Sequence, residues 1–146
     1  MTQIVSKIIE KIRGRKSQKV WHFDPTRKGM LSQHFSIREL SCRCGCAKMD
    51  FNMDTLMKLE RARVLAGRPF RIASGCRCDS HNRDEGGLKN SAHLIGKAVD
   101  IQCRGSEERY HLLESLGQEF NRLGIASTFI HVDDDERKSS KVIWTY

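Results

Sequence analysis

Two histidines and one aspartate constrain this chain more than anything else in it. His93 and Asp100 stand seven residues apart in Ser91-Ala92-His93-Leu94-Ile95-Gly96-Lys97-Ala98-Val99-Asp100. His131 lies in Phe129-Ile130-His131-Val132-Asp133. Two imidazoles and one carboxylate make a three-ligand zinc set that leaves a fourth position open for water. An open position lets a metal lower the pKa of bound water and polarise a carbonyl. To share one ion the three side chains must meet, so the fold has to bring their segments together.

Local patterning supports that meeting. Residues 97–102 read as a strand, with Ala98, Asp100 and Gln102 on one face by the period-two rule. His93 precedes it in a turn-rich stretch containing Gly86, Gly87, Asn90 and Gly96. Thr128 to Val132 reads as another strand, with Phe129, His131 and Asp133 sharing a face. If the two strands are neighbours, Asp100 and His131 can bind one metal. The bland alternative makes each His and Asp an unrelated loop or surface residue.

The upstream residues weigh against the bland alternative. The chain runs Ile72-Ala73-Ser74-Gly75-Cys76-Arg77-Cys78-Asp79-Ser80-His81-Asn82, then Gly86-Gly87. With Ser91 to Asp100 and His131-Val132-Asp133, this resembles the M15 family of zinc D-alanyl-D-alanine carboxypeptidases and peptidoglycan endopeptidases, in its small phage and bacterial form. The pattern is a strand ending in Ser-Gly-x-Arg, then His-Asn, Gly-Gly, Ser-x-His-x-x-Gly-x-Ala-x-Asp and a final His-Val-Asp, and every piece occurs here in order. The resemblance spans about residues 34–146. It implies Zn²⁺ at His93, Asp100 and His131, a substrate-facing Arg77, and a fold like that of Hedgehog and D-Ala-D-Ala peptidases.

An arginine suits that role, because a planar guanidinium grips a carboxylate or a developing oxyanion through two parallel hydrogen bonds. A solvated loop arginine is the alternative. Ser91 would bind substrate or order the metal loop, and His81 and Asn82 would brace the loop rather than touch zinc. One departure matters. Many family members carry an acid three residues before the last zinc histidine, and here that position is Thr128. Asp133 is the expected replacement as general base, with support of a ligand or plain exposure as alternatives. Asp134 and Asp135 read as solvated. Without a base, the chain would be a non-catalytic zinc domain that binds wall peptides or a protein partner.

The rest of the pattern is an α+β scaffold with a mostly antiparallel sheet carrying the ligands, flanked by helices. Ser36 to Glu39 is a capping box with a Phe35/Leu40 staple, starting a short helix. Asn52 to Ala66 reads as a helix stopped by Gly67, with Leu56, Leu59 and Val64 buried. Glu107 to Leu123 reads as a third helix, with Leu112, Leu113, Leu116, Phe120 and Leu123 at helical spacing and Gly124 as its stop. Strands are expected at 70–74, 97–102, 127–133 and 141–146.

At 146 residues the chain has room for one domain with its own core. The division is residues 1–33, a basic segment and linker, and residues 34–146, the zinc domain. Net charge is +8. Lys7, Lys11, Arg13, Arg15, Lys16 and Lys19 accompany Ile4, Val5, Ile8, Ile9 and Ile12 at helical spacing. That pattern fits a helix packing its isoleucines on the domain, or one attracted to anionic phospholipid, lipopolysaccharide or wall polymer. Trp21, Phe23 and Pro25 would anchor the arm that follows. No helix-turn-helix, finger or stacking motif supports nucleic-acid binding. No apolar run reaches membrane-spanning length, and no secretory signal peptide is visible. The expectation is a monomer made in the cytoplasm that reaches the periplasm or cell wall on release, in the manner of a phage endolysin.

Six cysteines complete the pattern: Cys42, Cys44, Cys46, Cys76, Cys78 and Cys103. The expectation is scaffold cysteines, reduced or disulfide-linked, stiffening the loop around Arg77. A second, structural zinc is the alternative. A thiol nucleophile has no base paired with it in sequence.

Overall fold

The computed structural model describes residues 28–146. The basic helix expected over residues 1–19, and Trp21, Phe23 and Pro25, lie outside the described residues. Within the segment expected to be a linker up to residue 33, Leu31 packs against the core. His34 is tied to helix residue Glu60, through its backbone N–H at 2.8 Å and its Nδ1 at 2.6 Å.

Helix α1 (Ile37–Leu40) begins where the capping box predicts. Ser36 Oγ accepts from the Glu39 N–H at 3.2 Å, and the Glu39 carboxylate accepts from the Ser36 N–H at 2.9 Å. Phe35 and Leu40 are both buried. Helix α2 (Met53–Ala66) starts at Asn52, whose side chain accepts from the Thr55 N–H, and stops at Gly67 with φ +62°. Leu56, Leu59 and Ala62 form its buried stripe. Val64, expected on that stripe, is exposed. At 3.6 residues per turn it sits roughly 140° around the helix from Leu59.

Strand β1 (Ile72–Ser74), helix α3 (Asp79–Asp84), a 3₁₀ turn (Ala92–Ile95), strand β2 (Ala98–Gln102), helix α4 (Ser106–Leu116) and strands β3 (Arg122–Ile125), β4 (Phe129–Asp133) and β5 (Val142–Thr145) follow. The helix expected to run from Glu107 to Leu123 therefore ends at Leu116, and Gly124 lies inside a strand rather than stopping a helix. The physical reason is shared burial. Phe120 and Leu123 are buried, as are Leu112 and Leu116. Leu123 reaches the core from β3, opposite Val132 and Ile143, so the helical spacing persisted past the helix.

The sheet order is β1-β2-β4-β3-β5. All neighbours are antiparallel except β3 and β5, which run parallel. Val99, Ile101, Leu123, Ile130 and Val132 join one core with Leu56 and Leu59 of α2 and Leu112 and Leu116 of α4. Burying each such side chain contributes about 1.5–3 kcal/mol. α2 and α4 pack on each other, so the fold is an α+β two-layer arrangement as expected. The alternate residues of β2 and β4 face the other way, and they carry the polar site. No helix among the described residues is long and apolar enough to cross a membrane.

Candidate metal centre

Strand register assembles the centre in a single row. Ser74 pairs with Asp100, Asp100 with His131, His131 with Gly124, and Gly124 with Trp144. Directly paired residues share a face of a sheet, so the row crosses all five strands on one side. His93 comes from the 3₁₀ turn just before β2. One ligand atom each from His93, Asp100 and His131 lie within 4.8 Å of one another. All three are buried, at 2%, 5% and 8% exposure.

The hydrogen bonds behind the two rings decide which nitrogens face inward. His93 Nδ1 is 2.7 Å from the Gly75 carbonyl, which can only accept. The Nδ1 therefore carries the proton, and Nε2 presents a lone pair 3.3 Å from Asp100 Oδ2. His131 Nε2 is 3.1 Å from Asp133 Oδ2. In the neutral ring that nitrogen donates to the carboxylate, and the Nδ1 lone pair faces Asp100 Oδ1 at 2.7 Å. A lone pair against a carboxylate is repulsive unless a cation lies between them. A proton on His131 is one such cation, and a metal ion shared by all three residues is the other.

The charge state agrees. Burial alone would raise the Asp100 carboxyl, but its hydrogen bonds with His131 and His93 hold it below the usual carboxylate range. Burial alone would lower the His131 imidazole, but hydrogen bonds to Asp100 and Asp133 raise it. Asp133 is likewise held low, against burial, by His131 and Arg122.

Two glycines explain the spacing of the motif. A Cβ on Gly75 would lie 2.5 Å from the Leu40 carbonyl oxygen, so only glycine lets this backbone pass α1 and offer its own carbonyl to His93. Gly96 has φ +65°, and a Cβ there would lie 2.2 Å from the Asp50 carbonyl oxygen. It ends the 3₁₀ turn and hands the chain to β2.

The other expected site residues fall as follows. Arg77 Nη2 donates to Asp100 Oδ2 at 2.8 Å and its Nε to Ser74 Oγ at 2.9 Å. Its guanidinium therefore borders the centre. Ser91 Oγ accepts from the His93 N–H at 3.3 Å, so it orders the metal loop. Asn82 Nδ2 donates to the Leu88 carbonyl at 2.9 Å, bracing the same loop. Thr128 is exposed, just before β4. The Asp133 carboxylate has both oxygens engaged: Oδ2 with His131, and Oδ1 with Arg122 Nε at 2.7 Å and the Asp135 N–H at 3.1 Å. It stands behind His131, on the nitrogen opposite the one that faces Asp100. Asp135, expected to be solvated, is 1% exposed and is held by Arg137 and Lys138.

Arg122 and Trp144 are additions that sequence reasoning missed. The Trp144 ring lies 5.6 Å from that of His131, and the Arg122 guanidinium stands 5.3 Å from the centroid of Trp144. Gly124 makes this possible, because a Cβ there would lie 2.7 Å from the indole. Arg122 was hidden by the helix expected through residue 123. The alternation of Val142-Ile143-Trp144-Thr145 was legible as a strand, but not its parallel place beside β3.

No curated protein matches the chain. The family model described as Peptidase M15 matches residues 33–133, a span that holds Arg77, Ser91, His93, Asp100, His131 and Asp133. With that match over more than two thirds of its length, the chain belongs to the Peptidase M15 family.

Proposed function

We propose that this chain is a zinc metallopeptidase that hydrolyses peptide bonds in peptidoglycan stem peptides, as a D-Ala-D-Ala carboxypeptidase or an endopeptidase of the endolysin kind. The observation that carries the reading is the convergence of two imidazole lone pairs on the Asp100 carboxylate, with each ring fixed from behind. Two nitrogens and a carboxylate oxygen suit zinc. His93 Nε2, Asp100 and His131 Nδ1 would hold it. When bound, zinc supplies a Lewis acid that polarises the scissile carbonyl and makes water a stronger nucleophile.

The protein's own residues do the rest. Arg77, on the Asp100 edge of the centre, offers a fixed positive charge for a substrate carboxylate or for oxyanion charge. Ser74 fixes its Nε, and Ser91 fixes the backbone of His93. Asp133 keeps a proton on His131 Nε2 and so keeps Nδ1 turned inward. Those contacts favour Asp133 as a positioning residue over the general-base role expected for it.

The same contacts favour a second reading. Thr128 is exposed and Asp133 is engaged, so the usual acid is missing from its place. A zinc domain that binds wall peptides or a protein partner without efficient hydrolysis would show that arrangement. The deciding experiment compares wild type with His93→Ala for zinc content and for peptide release from purified peptidoglycan, with fragments identified by mass spectrometry. Zinc-dependent release supports the peptidase, and the fragment masses name the bond. Bound zinc with intact wall peptides would replace it with the binding domain.

A further inference from the structure

A second cluster lies outside this centre. The Sγ atoms of Cys42, Cys44, Cys46 and Cys78 lie within 4.8 Å of one another. Cys42 and Cys44 are 3.4 Å apart, and Cys44 and Cys78 are 3.5 Å apart. All six cysteines are free. A tetrahedral zinc with bonds of about 2.3 Å to sulfur needs sulfur–sulfur edges of about 3.8 Å. The cluster is within a few tenths of an ångström of that along its measured edges.

The chain is bent to make it. Three of the sulfurs come from one five-residue stretch, Cys42-Arg43-Cys44-Gly45-Cys46, which turns through Gly45 at φ +87° and Ala47 at φ +59°. An alanine in the left-handed region costs about 1–2 kcal/mol, so something must hold it there. The fourth sulfur arrives from the loop after β1, 32 residues beyond Cys46. Donors surround the sulfurs as they surround bound thiolates. The Cys78 N–H points to Cys42 Sγ at 3.4 Å, and the His81 N–H to Cys78 Sγ at 3.5 Å. His81 Nδ1 lies 3.2 Å from Cys42 Sγ, and Ser80 Oγ lies 3.2 Å from Cys78 Sγ. Outer donors of this kind orient metal ligands and spread their charge. Cys76 and Cys103 are buried elsewhere and take no part.

We propose that Cys42, Cys44, Cys46 and Cys78 form a second metal site, a tetrathiolate that takes zinc and clamps the 42–46 loop to the loop carrying Arg77. Four sulfur ligands close the coordination sphere, so the site is structural. Its position explains its use. Arg77 immediately precedes Cys78, and the Cys76 N–H is already tied to the Leu40 carbonyl at 2.8 Å. The clamp fixes the arginine from its other side. Binding releases the thiol protons, and no redox partner is needed.

The test is metal content of the full chain purified anaerobically, read by native mass spectrometry. Wild type should carry two zinc ions. The double variant Cys44→Ser/Cys46→Ser should carry one, and so should His93→Ala/His131→Ala. Cobalt loaded into His93→Ala/His131→Ala should show strong near-ultraviolet thiolate-to-metal charge transfer, which decides the matter even if the cysteine variant does not fold. Zinc content unchanged by the cysteine substitutions, or cobalt spectra without charge transfer, would overturn the site. So would four cysteines recovered as two disulfides from the anaerobic protein. One zinc in wild type that survives His93→Ala/His131→Ala would keep the thiolate site and remove the metal from the peptidase reading, so the two fail separately.

Discussion

Replacing Asp133 by asparagine separates the two roles this carboxylate could play. Asparagine keeps the shape but cannot satisfy both neighbours. If its carbonyl faces His131 Nε2, its amide N–H₂ faces the Arg122 guanidinium, donor against donor. If the amide is reversed, its N–H₂ meets His131 Nε2 and drives the ring proton to Nδ1, the nitrogen that faces Asp100. The second outcome disfavours metal at His131 directly, and the first keeps the tautomer but removes the carboxylate charge behind the ring. Loss of such an outer partner typically weakens metal binding 10- to 100-fold, or about 1.4–2.7 kcal/mol. The weakened bond to partly buried Arg122 costs folding stability as well, about 2 kcal/mol for a hydrogen bond between charged groups. The assay is zinc competition against a chromophoric chelator, paired with peptidoglycan hydrolysis at limiting and at saturating zinc. A positioning residue predicts weaker zinc binding and activity that recovers substantially at saturation. A zinc affinity equal to wild type, with activity lost at every zinc concentration, would refute the positioning argument and make Asp133 the base.

Three further outcomes follow from particular contacts. Gly96→Ala should lose roughly 3 kcal/mol of unfolding free energy in urea, because it combines a left-handed backbone with a clash against the Asp50 carbonyl; a loss under 1 kcal/mol would contradict the close approach. Gly124→Ala should push the Trp144 indole off His131 at a cost of about 1–3 kcal/mol, seen as a shifted emission spectrum in a Trp21→Phe background that leaves Trp144 as the only indole. The Asp135 carboxyl is pulled down from 3.8 to about 2, chiefly by its hydrogen bonds from Arg137 and against burial. A depressed carboxyl stabilises the fold above its unfolded value and loses that contribution as pH falls from about 4 through about 2. Because Arg137 is half exposed, about 1 kcal/mol is expected rather than the unscreened 2 or more. Asp135→Asn should therefore destabilise by about 1 kcal/mol at pH 7 and flatten acid unfolding in that window, and an unchanged acid limb would contradict it.

The metal ligands were legible because each is written into a local device. Gly96 ends a tight turn, Asp100 and His131 alternate with buried aliphatics, and Ser74-Gly75 ends a strand. The capping boundaries of α1 and α2 were legible for the same reason: a cap is a contact between residues three apart. What could not be read were meetings made by topology. The bond from Arg122 to Asp133 depends on β3 lying beside β4, and the helical spacing of Phe120 and Leu123 concealed that strand. The place of Trp144 depends on a parallel pairing with β3. The four-cysteine cluster draws Cys78 to Cys42, Cys44 and Cys46 across the fold, and neither segment alone carries metal-ligand spacing of the usual kind. Asp133 was found in sequence, but its direction was not, because alternation gives a face and not a partner.

The row from Ser74 to Trp144 also has a consequence for errors in folding. A strand that slips by one residue turns every side chain to the opposite face. Were β4 to slip so against β2, His131 would enter the core, and Ile130 and Val132, now at 0% exposure, would turn onto the polar face that carries Asp100. Moving one imidazole into the apolar core while setting two aliphatic side chains among charged groups costs several kcal/mol. The misregistered sheet is thus rejected by its hydrophobic face before any ion or substrate tests its polar one, and the oily side of the sheet acts as the proofreader of the chemical side.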